Sequence, residues 1–256
     1  MQGRVALITG ASRGIGLATA RALLEDGAVG VTITSRKSDN LAVAVEELIS
    51  GGFDPGRVLA LAARADSEDD AEQTALTTVE RFGSCDVLVN NAGTNPAPGP
   101  LMEVDLAAVD KTWAVNLRGP LVWTQAVYRH WMKDHGGAIV NVASVGGLRP
   151  APVLGAYNIS KAGLVHMTRQ LALELAPNVR VNAVAPGIVK TRLAGAMWEG
   201  NEAGAAATHP LNQLGEPVDV ARAIAYLCSD SARWLTGVVL PVDGGIVGAT
   251  GVLDVL

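Results

Sequence analysis

Tyr157 and Lys161 stand four residues apart, a spacing that puts both side chains on one face of a helix. With three tyrosines and five lysines in the chain, chance would supply such a pair only about 0.06 times. A free phenol, with a pKa of about 10, is a poor proton donor or acceptor near neutrality. An adjacent ammonium favours the phenolate and lowers that value. A lowering of roughly two to three units corresponds to about 3–4 kcal/mol of differential stabilisation. Ser144 closes the run Ala138–Ser144 thirteen residues before the tyrosine, placed for its hydroxyl to meet the same oxygen. Val142 occupies the place of the first glycine in a G-x-S-x-G elbow, so serine-hydrolase chemistry has little support. The chemistry these residues suit is proton transfer to or from an alcohol or carbonyl oxygen.

A second constellation lies near the N-terminus. The apolar run Val5–Thr9 leads into Gly10, Ser12, Arg13, Gly14, Ile15 and Gly16, and then into a helical pattern. Glycines at this spacing tighten the turn and let main-chain N–H groups approach a pyrophosphate at the helix N-terminus, where the dipole favours anions. The pattern alone is weak, but strand, tight turn and helix in succession are the context a dinucleotide site requires. The next strand ends at Thr34, Ser35, Arg36 and Lys37, with no carboxylate before Asp39. An acidic residue there would take the ribose hydroxyls of NAD, whereas Arg accommodates the 2′-phosphate of NADP. One good charge-assisted contact is worth roughly 1.5–3 kcal/mol, about a 10- to 150-fold preference. NADP(H) is therefore expected over NAD(H).

The elements that must hold these groups are legible along the whole chain. Short β-branched runs at 5–9, 31–34, 58–62, 87–89, 138–142, 179–184 and 238–242 read as strands. They are continuously apolar, as expected of strands covered on both faces. Helical patterns at 15–26, 41–50, 69–82, 106–135, 157–175 and 218–229 lie between them. Alternation with crossovers above ten residues implies parallel strands. The expected fold class is α/β: a single-domain, Rossmann-like doubly wound fold over 1–256, with a seven-stranded parallel sheet and helices on both faces. Proline- and glycine-rich patches at 94–100, 146–152 and 186–187 each follow a strand, where active-site loops of open α/β sheets lie. The stretch 192–217 is long and rich in small residues, and reads as a substrate-loop excursion.

Composition excludes several other classes. The 256 residues are 49% hydrophobic and 18% charged, with a net charge of −5, the wrong sign for a nucleic-acid or anionic-lipid surface. Two cysteines and four scattered histidines offer no metal-ligand spacing. No uncharged apolar run reaches the roughly 18 residues that span a bilayer, and the first residues lack the pattern of a secretory signal. A cytoplasmic protein with a small-molecule substrate is expected, with neither nucleic acid nor membrane as a partner.

Taken together, the motifs resemble the short-chain dehydrogenases/reductases, in particular the NADP-preferring, single-domain members similar to 3-oxoacyl-acyl-carrier-protein reductases and carbonyl reductases. The resemblance rests on residues 9–16, on Asn90, Asn91, Ala92 and Gly93, on Asn116, Ser144 and the 157–161 stretch, and on Pro186, Gly187, Thr191 and residues 242–245. It implies that Tyr157 is the general acid/base and that Ser144 orients the substrate oxygen. Lys161 would lower the tyrosine pKa and bind the nicotinamide ribose, and Asn116 would hold a water in a proton relay. Asn90 would be structural; Asn91, Ala92 and Gly93 would border the adenosine side, and Pro186, Gly187, Ile188 and Thr191 the nicotinamide carboxamide. Ser35 and Arg36 match NADP-preferring relatives. Many relatives carry an Asp that contacts the adenine; here Arg64 or Asp66 stands nearby, and the contact stays open between them. The residues 94–98 are richer in proline than in many relatives.

The resemblance also implies a homotetramer or homodimer, with the helices 106–135 and 157–175 packed across a two-fold axis. Met197 and Trp198 are candidates to line the substrate pocket, while Trp113, Trp123 and Trp131 read as core or interface. Arg129, Lys133, Arg149 and Arg169 read as solvated charges, and the apolar tail from Ile246 as a segment for a neighbouring subunit. The expected reaction is reduction of a ketone or aldehyde, including a 3-oxoacyl thioester, to an alcohol. Oxidation of a secondary alcohol is the alternative direction. A non-catalytic NADP-binding sensor would have dropped one of Asn116, Ser144, Tyr157 or Lys161; all four are present.

Overall fold

The computed structural model describes residues 1–96 and 98–248. In chain order it contains β1 (Val5–Ile8), α1 (Gly14–Glu25), β2 (Gly30–Ser35), α2 (Ser38–Ser50), β3 (Val58–Ala62), α3 (Glu68–Phe82) and β4 (Val87–Asn90). A long helical path then runs through α4 (Leu106–Trp113), α5 (Gly119–Val127) and α6 (Lys133–His135). The remainder comprises β5 (Gly137–Val142), α7 (Gly155–Glu174), β6 (Val179–Pro186), α8 (Gly195–Trp198), α9 (Glu202–Ala206), α10 (Pro217–Cys228) and β7 (Val239–Val242).

The seven strands form one sheet in the order β3-β2-β1-β4-β5-β6-β7, every neighbouring pair parallel. The order reverses between β1 and β4, the switch point outside which ligands bind in open α/β sheets. Side chains alternate across the sheet, and β1 divides accordingly. Ala6 and Ile8 enter one core with Leu23, Leu48 and Ile224 from α1, α2 and α10. Leu7 enters the other with Trp123, Met132 and Leu171. Both faces are thus covered, which is why the strands carry so few polar residues.

Local chemistry sets the helix ends. Ser67 caps α3, accepting from the Asp70 N–H, and three acidic residues fill its first turn, where the dipole favours them. Gly83, at φ 83°, ends that helix in a left-handed conformation. At α10, Glu216 and Asp219 form a reciprocal capping box that brackets Pro217. By contrast, no side chain caps α1, the helix that follows the glycine turn.

The helix expected over 106–135 proves not to be regular. Two π turns, Ala114–Arg118 and Tyr128–Met132, separate α4, α5 and α6. Asn116 lies in the first of them. The stretch 192–217 contains the short helices α8 and α9, and it is pinned to the segment after β6 by a parallel bridge between Val189 and Gly215. No helix among the described residues is long and apolar enough to cross a membrane. Of the apolar tail, residues 249–256 lie outside the described residues, as does Ala97 in the proline-rich 94–98 stretch.

Candidate active site

The site is assembled at the carboxyl ends of β1, β2, β4, β5 and β6. Gly10 and Gly14 adopt φ values of +65° and +56°, a left-handed region that side chains disfavour. A Cβ at Gly10 would come within 2.8 Å of the Ala92 Cα, and one at Gly16 within 2.5 Å of the Asn91 Nδ2. A Cβ at Gly14 would lie 3.3 Å from Thr191 Cγ2. The glycine turn therefore touches both the β4 loop and the segment after β6, which brings Gly10, Gly14, Gly16, Asn91, Ala92 and Thr191 together. Asn91 spends its side-chain amide on the carbonyls of Thr9 and Gly10, at 2.8 and 3.0 Å. It braces the turn from behind, and the Thr9 hydroxyl accepts from the Asn91 and Ala92 N–H groups.

Ser12 and Ser35 meet hydroxyl to hydroxyl at 3.1 Å, so the turn and the end of β2 lie side by side. Arg13 and Arg36 are both exposed, and neither side chain has an acidic partner among the described residues. Ile15 opens α1, whose first N–H groups lack a side-chain cap. Uncapped donors at a glycine-lined turn, flanked by two unpaired guanidinium groups, fit a phosphate-bearing dinucleotide. Arg64 and Asp66 have different surroundings. Asp66 accepts from Lys111 at 2.6 Å and from Arg64 at 3.3 Å. Burial raises its carboxyl pKa, but these hydrogen bonds outweigh that and leave it below the usual value. Asp66 thus ties β3 to α4, while Arg64 remains largely exposed.

The second cluster converges from β5, α7 and the first π turn. Ser144 accepts from the Gly146 N–H at 3.1 Å, which leaves its own hydrogen for the Tyr157 oxygen, to which it is hydrogen-bonded. Lys161 is buried and donates from Nζ to the Val142 carbonyl at 2.7 Å. That same Nζ lies 5.7 Å from the centroid of the Tyr157 ring. Asn116 is buried, and its side chain donates to the Thr94 carbonyl and to Ser160 Oγ while accepting from the Thr94 N–H. A Cβ at Gly93 would sit 3.7 Å from both Asn116 Oδ1 and Lys161 Nζ, so Gly93 joins this cluster.

Two details depart from the sequence reading. Burial pushes the Tyr157 phenol above its ordinary value, and the Ser144 hydrogen bond opposes this without overcoming it. In the cofactor-free protein Lys161 adds no depression: its ammonium lies over the ring and donates to the Val142 carbonyl. Burial brings the lysine itself down, to about 8. Secondly, both amide hydrogens of Asn116 already have protein acceptors, so of the amide only Oδ1 has a lone pair left for a relay water.

Pro186 ends β6, and Gly187 follows it, bonded through its N–H to the Val242 carbonyl. The Ile188 N–H is taken by His209 Nε2 at 3.3 Å. The next N–H, that of the buried Val189, has no partner among the described residues. A buried main-chain donor without a partner is rare, and this one adjoins Thr191 and the glycine turn. It is the donor best available to a carboxamide, and nothing in the sequence distinguishes it from Ile188. His209, Thr9 and Ser160 are likewise participants that no motif announces.

Of the lesser signals, Trp123 is core and Trp113 is partly exposed, while Trp131 donates to Asp86 and stacks on His135. Trp198 is half-buried with an indole N–H that has no partner, and Met197 is exposed. Arg129 is exposed, as expected, and pairs at the surface with Glu72, which also meets His130.

A family model described as enoyl-(acyl carrier protein) reductase matches residues 10–247. The chain is 38% identical to the dehydrogenase/reductase SDR family member 4 of Caenorhabditis elegans over 96% of its own length and 95% of that protein. Among solved structures, a short-chain dehydrogenase/reductase of the glucose/ribitol dehydrogenase type from Brucella melitensis superposes with a TM-score of 0.89 at 34% identity, covering 96% of this chain and 97% of that one. An actinorhodin polyketide ketoreductase solved with NADPH superposes with a TM-score of 0.90 at 33% identity, covering 96% and 97%. Sheet order, glycine turn and the Ser–Tyr–Lys cluster agree with these likenesses: the chain belongs to the short-chain dehydrogenase/reductase family of oxidoreductases.

Proposed function

We propose that the protein is an NADP(H)-dependent reductase of ketones or aldehydes, acting by proton transfer from Tyr157. The observation that carries this reading is the meeting of Tyr157, Ser144 and Lys161 beside a glycine turn whose helix is uncapped. Gly10, Ser12, Gly14, Ile15 and Gly16 would take the pyrophosphate, with Arg13, Ser35 and Arg36 at the 2′-phosphate. Asn91, Ala92 and Gly93 would border the adenosine half. Pro186, Gly187, Ile188, Val189 and Thr191 would hold the nicotinamide half, with Lys161 at its ribose. When bound, the dinucleotide supplies the hydride.

The chain's own task is the proton. Ser144, its lone pair engaged by Gly146, aims its hydrogen at an oxygen beside the phenol and so orients the carbonyl. Tyr157, its pKa raised by burial, stays protonated at neutral pH and can donate to the developing alkoxide. The same group would take the proton back in the oxidative direction, and reduction is favoured here because NADP(H) is the proposed cofactor. A 3-oxoacyl thioester is one substrate within this class. Self-association as a tetramer or dimer, through the faces of α4, α5 and α7, is part of the proposal. It is supported by exposed Leu106, Ile159 and Leu173 on those helices. A cytoplasmic setting is likewise proposed.

A panel of ketones, 3-oxoesters and secondary alcohols, assayed with NADPH and NADH, tests the reading. NADPH oxidation by the wild type on at least one carbonyl, lost in Tyr157→Phe, is expected. NADPH binding without turnover on any substrate would favour a sensor.

A further inference from the structure

His209 is 3% exposed and lies within the 192–217 excursion, outside every motif that marks the site. Its ring is held from two sides. Nδ1 lies 3.1 Å from the Ala205 carbonyl of α9, and Thr208 Oγ is 3.2 Å from that nitrogen. Nε2 lies 3.3 Å from the Ile188 main-chain nitrogen. A carbonyl can only accept, so Nδ1 must carry the hydrogen; an N–H can only donate, so Nε2 must be bare. Only the neutral Nδ1–H tautomer satisfies both contacts. The third side is closed by the turn after β7. A Cβ at Gly244 would sit 3.4 Å from the His209 ring, and the Leu211 N–H bonds to the Gly244 carbonyl.

The peptide that His209 grips is the one immediately before the unpartnered Val189 N–H. Holding the Ile188 N–H fixes the Gly187–Ile188 peptide, while the Gly215 N–H, also from the excursion, holds the Ile188 carbonyl of the next peptide at 3.0 Å; together they set where the Val189 N–H points. The same segment is tied to the excursion through Lys190, which pairs with Glu202 at 2.7 Å and Glu216 at 3.1 Å. That ion pairing joins partly exposed side chains, so it constrains the main chain less than the His209 and Gly215 hydrogen bonds do.

We propose that His209 is a positioning residue: its neutral imidazole joins the excursion to the Ile188 main chain and so aims the Val189 N–H at the nicotinamide half of the cofactor. This rests on the proposed dinucleotide site. The excursion would then be more than a cover for substrate, since its order would be read directly by the donor that orients the nicotinamide.

Two neutral variants separate this role from general packing. His209→Gln carries an acceptor at about the reach of Nε2; His209→Asn reaches only the Nδ1 position and loses Ile188. Affinity is measured for NADPH and for 2′-phospho-ADP-ribose, which lacks the nicotinamide. Loss of one neutral hydrogen bond predicts about a 2- to 10-fold weaker NADPH affinity for Asn, largely restored in Gln, with 2′-phospho-ADP-ribose affinity unchanged in both. Equal weakening of both ligands, or an Asn variant that binds NADPH like the wild type, would overturn the proposal. A wild type that binds neither ligand would overturn the cofactor reading and this proposal with it. Long-range ¹⁵N spectra of the imidazoles in the cofactor-free protein give an independent check. The His209 ring is expected as the Nδ1–H tautomer, and the Nε2–H tautomer would refute the arrangement whatever the cofactor does.

Discussion

Replacing Lys161 by Met should leave the cofactor-free protein at least as stable as the wild type at neutral pH while abolishing turnover. The ammonium is buried, and burial brings its pKa from 10.5 to about 8. The difference corresponds to about 3 kcal/mol of stability given up at any pH below about 8. Methionine removes that cost but also removes the charged donor to the Val142 carbonyl, a loss of roughly 1.5–3 kcal/mol. The net gain is between about zero and about 1.5 kcal/mol, or up to roughly 3–6 °C in Tm for a chain of this size. The pH dependence gives a sharper signature. Between the folded and unfolded pKa values the unfolded chain binds more protons, so wild-type stability rises as pH climbs from 8 towards 10.5. Denaturant unfolding at fixed protein concentration, from pH 7 to 9.5, should show the wild type gaining about 2 kcal/mol on Lys161→Met. Stability curves that stay parallel over that window, or a variant weaker than the wild type at pH 7, would refute the assignment of a strained, desolvated lysine.

Four further outcomes are expected. Tyr157 should remain a phenol up to at least pH 10 in the cofactor-free protein, because burial raises its pKa; phenolate absorbance that appears by pH 8 and is missing from Tyr157→Phe would contradict this. Turnover in Tyr157→Phe should fall by about 10²- to 10⁴-fold. Arg36→Asp should shift preference from NADPH towards NADH by about 10- to 150-fold, read as the ratio of kcat/KM values; an unchanged ratio would remove Arg36 from the 2′-phosphate. Gly16→Ala should cost roughly 1–3 kcal/mol in thermal or chemical unfolding, since its Cβ would come within 2.5 Å of the Asn91 amide nitrogen, 2.7 Å of the Ala11 Cα and 2.9 Å of the Gly10 carbonyl oxygen; wild-type stability would show that the turn's main chain can shift.

The sheet was legible in the sequence because its strands are apolar on both faces and separated by clear helical periods. Predicted and observed strands agree to within about two residues, the largest difference being β6, which runs on to Pro186. The reacting side chains were legible for a different reason: phenol, ammonium and hydroxyl are distinctive groups at informative spacings. Main-chain partners leave no such trace. Val142, whose carbonyl captures Lys161, precedes it by nineteen residues and looks like any strand valine. The π turn that carries Asn116 is invisible to a 3.6-residue period. His209 was passed over because a lone histidine in a small-residue stretch matches no pattern; only the folded excursion shows that both ring nitrogens are engaged.

Since all the reacting groups leave the sheet at its carboxyl edge, the opposite rim is chemically idle. Its connections include Gly51–Gly52 before β3 and Gly83–Ser84 before β4, where Gly51, Gly52 and Gly83 are exposed and the positive φ of Gly52 and Gly83 calls for insertion beside them, not replacement. That rim is the place to graft a fluorophore, an affinity handle or a tether to a second enzyme, with the thickness of the sheet separating cargo from chemistry.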